Sequence, residues 1–514
     1  MSHSRSFAVF LLLWIVLSIT GCGEPLNSGG EDSSKPPADE VITNDNRLSS
    51  DDPVGKPLEI DPGLTNKDEP TVNGLVEDDG EKTEPAVQTI FRPSDRRPRF
   101  DDRQLAKLGI LKYESKRLKL YTDIAPARAK PLPGLIDQAF DALAGYFGEL
   151  PPDRERAEFQ MTGYLMANPQ QFRLAGLLPG NLPFFYHGRH RGAEFWMNDQ
   201  KDDYYCRHLM IHEATHCFMT IVPTVNAPVW YLEGMAELFG THVIDEQGKV
   251  TFRVMPHNKA DFRGLGRITL LRTEVATERA LSISEVTNLR PERYLKNEAY
   301  AWSWALCKFF DSHPRYDKRF RELGNALHGT PLTPAFREAY SKDLAGLMSE
   351  WSLFAHNLQD GYDNEHAAIT FRPGTPLSVS EPRTNIEIKA ARGWQSSGVR
   401  VQKGHAYEIS AAGQFTLADK PKPWVSDAGG VSIRYFNGRP LGMLLATVRA
   451  DVMPDGSGAK SMLDVQTVGR KSRFTAPVNG TLYLRLNDSW SELADNTASV
   501  RVTVRVVPAE PTKN

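Results

Sequence analysis

The sequence predicts a multidomain chain, an α+β body followed by an all-β domain of the β-sandwich class. Three observations carry this. At 514 residues the chain is too long for one ordinary domain. From about residue 100 to 365, apolar residues recur at helical spacing between a few short strand-like runs. Beyond about residue 370 the pattern changes to short β-rich runs separated by Gly, Pro and Asn.

Residues 1–22, MSHSRSFAVFLLLWIVLSITGC, carry Arg5 and then an apolar run from Phe7 to Ile19. That run is short for a membrane span and right for a signal peptide. Its end, Ile19-Thr20-Gly21-Cys22, resembles the bacterial lipobox. The resemblance implies a lipid on Cys22 and a chain held at the cell envelope, on its periplasmic or extracellular face. Gly23 after the cysteine implies the outer membrane. Residues 23–95 are expected to be a disordered acidic tether. From 23 to 90 they hold 17 Asp/Glu against 5 Lys/Arg and no aromatic residue. Such a stretch cannot bury enough apolar surface to offset its ordering entropy.

Composition removes other classes. Net charge is −3 with no basic tract, which argues against a nucleic-acid partner. Four cysteines, Cys22, Cys206, Cys217 and Cys307, are too few for a disulfide framework. Cys206 and Cys217 read as buried small hydrophobes.

The body is expected over 96–365. KRLKLYT (116–122) reads as a strand, and Pro131 to Gly134 open a helix through LIDQAFDALAGYFGEL. Residues 166–198, with FFYHG and AEFWMND, read as strands and an edge loop. DDYYCRHLMIHEATHCFMTIV then reads as a helix capped by Asp202 or Asp203.

In that helix His212 and His216 are four apart, about 40° around the axis and about 6 Å along it, so both can reach one ion. Glu213 is offset by one position and can approach a water without ligating the ion. This is the HExxH arrangement, with histidines holding zinc and the glutamate acting as base. PVWYLEGMAELFG (228–240) predicts a second helix, bounded by Pro228 and Gly240. It carries Glu233 and, one turn later on the same face, Glu237. Two carboxylates on an otherwise apolar surface suit a third zinc ligand and a hydrogen-bond partner for a ligand histidine.

HEATH followed by WYLEGMAE resembles the gluzincin metallopeptidases, the clan of thermolysin and the aminopeptidase-N group. The latter carry W-L-x-E-G-x-A, matched here by Trp230, Glu233, Gly234 and Ala236, with Tyr231 in the leucine position. The resemblance implies a zincin-like fold over 96–365, a peptide or protein substrate, and zinc held by His212, His216 and Glu233. Glu213 falls on the base, and Glu237 on the acidic residue that bonds a ligand histidine. The spacing from HExxH to Glu233 is shorter than in either relative. No GAMEN-like exopeptidase motif is present, so an endopeptidase is expected. Residues 204–240 also resemble a bacterial secreted family with the pattern YYRHLLxHExTHxFM and PxWxxEGxAE. That likeness extends through EAYAWSWALCKFF (298–310) and Glu350-Trp351. Gluzincins stabilise the oxyanion with a later tyrosine or histidine. By order this falls on Tyr300, with His242, His257, Arg263 and Arg267 as alternatives.

The β-rich domain is expected over 370–509. Trp394, Gly398-Val399, Gly404, Gly442 to Leu445 and Gly480 to Asp488 resemble the calcium-dependent galactophilic bacterial lectins. Asp488, Asp495 and Asn496 offer oxygen ligands that suit calcium or a sugar hydroxyl, although DSWSELADN is shorter than the lectin segment. The leading reading is a zinc-dependent peptide-bond hydrolase at the bacterial envelope. The alternatives are an envelope carbohydrate-binding protein with an inactive metallopeptidase-like body, and a structural envelope protein. Metal analysis and sugar binding by the β-rich region separate them.

Overall fold

The structure, a computed structural model, describes residues 90–95, 98–222, 225–327, 331–453 and 456–508. The signal segment, Cys22 and residues 23–89 lie outside the described residues. Contacts divide the chain at Glu84 and Pro85, and every described residue belongs to the second unit. At the end of the expected tether, Arg92 is buried and its guanidinium meets Asp95 at 3.1 Å and Asp153 at 3.7 Å. The body therefore reaches back at least to Arg92. Among the described residues, no helix is long and apolar enough to cross a membrane.

A helix-rich α+β region comes first. Its sheet has strands β1 (Leu111–Glu114), β2 (Leu118–Thr122), β3 (Met161–Met166), β4 (Gly188–Arg191) and β5 (Glu194–Asn198). The order is β1-β2-β3-β5-β4. The three inner strands run parallel, and β1 and β4 are antiparallel edges. Strand alternation gives the sheet two apolar faces. Leu118, Leu120, Phe195 and Met197 face the main core, while Tyr121, Tyr164 and Trp196 enter a second cluster with Phe172 and Leu177.

Helices α1 (Leu132–Phe147), α2 (Asp203–Thr220), α3 (Val229–Gly240), α4 (Arg267–Ala276), α5 (Asn297–Ser312) and α6 (Leu344–Asn357) contribute to the main core. Helix α2 is buried on all sides from His208 to Met219. Asp202 stands at its N-cap without a side-chain cap bond, and Arg128 instead ties Asp203 and Asp199 at 2.7 Å each.

The strand reading of 166–198 needs correction. Pro169–Leu174 is a short helix, which Pro169 opens because its fixed φ and missing N–H suit the first turn. FFYHG lies mainly in an open segment, with Phe184 74% and Tyr186 75% exposed.

After residue 370 the chain is β-sheet-rich. One five-stranded sheet includes Gln395–Val401, Leu444–Ala450 and Gly480–Leu486, and a six-stranded sheet forms around Thr497–Val506. Both supply one apolar cluster, with Ile388, Ile409, Val448, Leu484 and Val502 inside. The two regions also share packing. Trp394, Leu445, Tyr483 and Trp490 belong to the same cluster as the helices.

Candidate metal centre

Helices α2 and α3 pack together and bring three ligand-type atoms to one point. His216 Nε2 is 3.1 Å from His212 Nε2 and 3.1 Å from Glu233 Oε2, and His212 Nε2 is 3.3 Å from the same oxygen. Two ligands each bound to zinc at 2.0–2.1 Å and at the tetrahedral angle stand about 3.3 Å apart. The three side chains therefore fit a tetrahedral ion with one position left over. Without a metal one of these two imidazole nitrogens donates to the other across 3.1 Å, and a shared cation would take both lone pairs. Two imidazoles and one carboxylate form a donor set that divalent metals such as zinc take.

The carboxylates take different roles from different surroundings. Burial pushes the Glu233 carboxyl up, but His216 and His212 outweigh it and hold it well below the usual range. Glu213 points to the same centre, and burial raises its carboxyl above the ordinary value. A raised pKa makes a stronger proton acceptor. Glu213 also packs against the edge strand, where a Cβ on Gly188 would meet Glu213 Oε1 at 2.4 Å. Glycine at 188 lets the β4 backbone approach the carboxylate.

Glu237 sits behind His212, with Oε1 3.5 Å from His212 Nδ1. Arg267 on α4 grips it through two hydrogen bonds of 2.8 and 2.9 Å, and His208 Nε2 lies 3.3 Å from Oε2. Burial works against this carboxylate too, yet Arg267 and His208 hold it well below its usual range. Arg267, an alternative oxyanion group in the sequence reading, is therefore committed to Glu237. Tyr300 packs beside the cluster, its ring centroid 6.3 Å from that of His212. Burial, then Glu233, raises its phenol well above the usual value, so it stays protonated. His257 is exposed and paired with Asp261 at 3.0 Å. His242 is buried against Tyr204, with Nδ1 2.8 Å from the Gly240 carbonyl. Arg263 is exposed.

Two histidines at the centre escaped the sequence reading. His208 completes an i, i+4, i+8 stripe with His212 and His216, a spacing visible in the sequence. It belongs with His212 and Glu237 to a second buried group of metal-ligand type, but the Arg267 guanidinium fills the carboxylate's coordination and opposes a second cation. His190 on β4 stacks on His216 with ring centroids 4.7 Å apart, and its Nδ1 is 3.8 Å from Glu213 Oε2. Burial, then His216, pushes its imidazole down to about 3, so it is neutral. Only strand pairing places His190 here, and no local spacing signals it.

In the β-rich region, Asn496 Nδ2 donates to Asp488 Oδ2 at 2.8 Å and the Ser489 amide donates to Oδ1 at 2.7 Å. Asp495 is exposed. Among the described residues, the groups of three or more His, Cys, Asp or Glu able to hold a metal are the two on α2 and α3.

No protein-family model and no curated protein matches the chain. Solved structures that match include one described as "EclA N-terminal domain; PllA-like lectin". It is 18% identical and covers 25% of this chain and 99% of that chain, with a TM-score of 0.19. A likeness at that score carries no argument about ligand or activity.

Proposed function

We propose that the chain is a zinc-dependent hydrolase of peptide bonds, an endopeptidase of the gluzincin type held at the bacterial envelope through Cys22. The observation that carries the catalytic part is the convergence of His212, His216 and Glu233 within 3.1–3.3 Å, with the Glu213 carboxylate beside them. His212, His216 and Glu233 would hold a zinc ion, which when bound would supply Lewis-acid polarisation of a carbonyl and acidify water. Glu213 accepts the proton from the attacking water and returns it to the departing amine. Tyr300, protonated and beside His212, donates a hydrogen bond to the carbonyl oxygen as charge develops on it. Glu237, fixed by Arg267 and 3.5 Å from His212 Nδ1, is placed to accept a hydrogen bond from that N–H and orient the ring. The exposed Phe184 and Tyr186, adjacent in sequence to β4, give a substrate side chain apolar surface near the edge strand. The anchor rests on the lipobox-like sequence, and a carbohydrate ligand or calcium for the β-rich region rests on the motifs of residues 394–496 alone.

The test pairs metal content with cleavage of a protein mixture. The wild-type chain should hold about one zinc and cleave. Glu213→Gln should keep the zinc and lose roughly 10²-fold or more of the activity, the scale of a lost general base. His212→Ala, His216→Ala and Glu233→Ala should lose the metal. Full activity in Glu213→Gln, or full zinc content without Glu233, would overturn the assignment.

A further inference from the structure

A cavity of about 810 Å³ lies among the helices Ile283–Thr287, Leu332–Tyr340 and α6 and the loop 456–460 of the β-rich region. None of His212, Glu213, His216, Glu233 or Tyr300 lines it. Its size falls within the range of about 300–1,000 Å³ typical of small-molecule sites. Leu281, Ile283, Phe336, Leu344, Met348 and Trp351 make its wall apolar.

One corner is polar. Ser352 and His356 stand one turn apart on α6, and His356 Nδ1 lies 2.8 Å from the Ser352 carbonyl. Ser352 is 6% exposed, and its hydroxyl has no hydrogen-bond partner. A helical serine usually satisfies its hydroxyl on the carbonyl four residues back. Ser349 does so in this same helix, donating to Ala345 at 3.1 Å. Lys460 lines the same cavity, is exposed, and makes no ion pair among the described residues. Its charge reaches both His356 and Glu285. The Glu285 carboxylate accepts from the amide and hydroxyl of Ser282 through Oε2, at 2.7 Å each, and makes no ion pair with Lys460 among the described residues. A buried donor without an acceptor costs free energy, and an unpaired cation at the edge of an apolar chamber favours an anion.

We propose that this cavity binds a single-chain amphipathic anion of the fatty-acid class. The tail lies along Phe336, Leu344 and Met348, the carboxylate pairs with the Lys460 ammonium, and Ser352, whose hydroxyl is covered in this structure, turns to donate to it. Neither the apolar wall alone nor the charge alone selects this class. Their combination in one chamber does, because a fully apolar ligand would leave Ser352 unsatisfied and a small anion would leave the wall wet.

The test is calorimetric titration of the full chain carrying Cys22→Ala, stripped of copurified lipid. The probes are decanoate, dodecanoate, tetradecanoate and dodecanol. Saturable binding of one carboxylate per chain is expected, tightening about fourfold per added methylene until the chamber is full. Dodecanoate should bind several-fold more tightly than dodecanol, and Lys460→Glu should erase that difference. Ser352→Ala should weaken dodecanoate, and Met348→Trp should block the chamber. Leu344→Asp acts at a partly exposed wall position and should also weaken every probe. It serves as the second variant should Met348→Trp unfold. A folded chain that shows no saturable uptake of tetradecanoate would overturn the proposal, as would uptake indifferent to both wall variants. Equal binding of dodecanol and dodecanoate would overturn the anionic assignment. Neither zinc nor cleavage is read, so failure here is distinct from failure of the hydrolase reading.

Discussion

The cost of a substitution near the metal centre depends on which buried charge it leaves without a partner. Arg267→Met removes both hydrogen bonds from Glu237, a carboxylate only 2% exposed. Breaking such a pair costs about 3–5 kcal/mol, because the remaining charge stays buried. His212 also loses its orientation, so zinc affinity should fall roughly 10- to 100-fold. Denaturant unfolding and zinc titration read the two effects separately, and an unchanged zinc affinity would remove Glu237 from the proposed relay. Asp488 offers a pH test away from the metal. Burial raises its carboxyl from 3.8 to about 6 against the pull of Asn496 and the Ser489 amide. A carboxyl raised in the folded state stabilises it fully below the unfolded pKa, and this contribution is lost as pH rises through the folded value. Stability should therefore fall by up to about 3 kcal/mol between pH 4 and pH 7 on this account. Asp488→Asn should flatten that window, and an unaltered pH profile would show that Asp488 stays ionised. His212 with His216, and Glu233 with Glu237, were legible because helical spacing sets each pair on one face of its helix, and Glu213 follows His212 directly. His208 is equally legible, one turn before His212 on the same face. The pairing of Arg267 with Glu237 and the place of His190 beside Glu213 were not, since these partners are 30 and 23 residues apart, across elements whose packing no local pattern encodes.

Elements meet the centre through two glycines, and each gives a different expectation. Gly188→Ala on β4 would set a Cβ 2.4 Å from Glu213 Oε1. The obstacle is the end of a flexible side chain, so Glu213 moves while the fold stays. Activity should drop while zinc content and melting temperature change little. Gly234→Val on α3 meets Cys307 Sγ at 2.5 Å and the Ser303 carbonyl at 2.6 Å. Here the obstacle includes the backbone of α5, so the two helices must separate. Overpacking of this kind costs about 1–3 kcal/mol, and it shifts Glu233 and Tyr300 relative to each other. Melting temperature, zinc content and cleavage should all fall together. Loss of zinc in Gly188→Ala, or an unchanged melting temperature in Gly234→Val, would contradict the packing. Strand and helix positions followed from periodicity where it is strong, at Leu118–Thr122, Leu132–Phe147, Asp203–Thr220 and Val229–Gly240. Sheet order did not, and β4 becomes the edge beside Glu213 only because it folds back antiparallel on β5.

At the scale of the whole molecule, the change of pattern near residue 370 separates two kinds of secondary structure without separating two cores. The chain crosses that point buried: Ile369 is 2% exposed and its amide donates to Glu350 Oε1 on α6 at 2.7 Å. Beyond it, Trp490 stacks on Tyr362 with centroids 5.6 Å apart, and the Arg485 guanidinium lies 3.7 Å over the Trp490 ring. Arg485 is 3% exposed and donates to the Asp488 carbonyl at 2.7 Å, which fixes the loop that carries Trp490. A linker between independent domains would be exposed, polar and free of such bonds. Domain boundaries read from composition miss this, because an aromatic residue in a β-rich segment looks the same whether it fills its own sheet or a neighbour's helices. The helix-rich and β-rich regions should therefore unfold in one calorimetric transition. Trp490→Ala should lower that single transition, at a cost of about 3–5 kcal/mol for emptying an aromatic core position. A chain ending at residue 369 should expose Tyr362, Leu353 and Ile369 to water, bind a hydrophobic dye and hold zinc poorly, although every residue of the metal centre is present. Should that truncated chain melt at the same temperature as the whole and retain its zinc, the shared core would be a contact between independent domains, and the centre would owe nothing to the β-rich region.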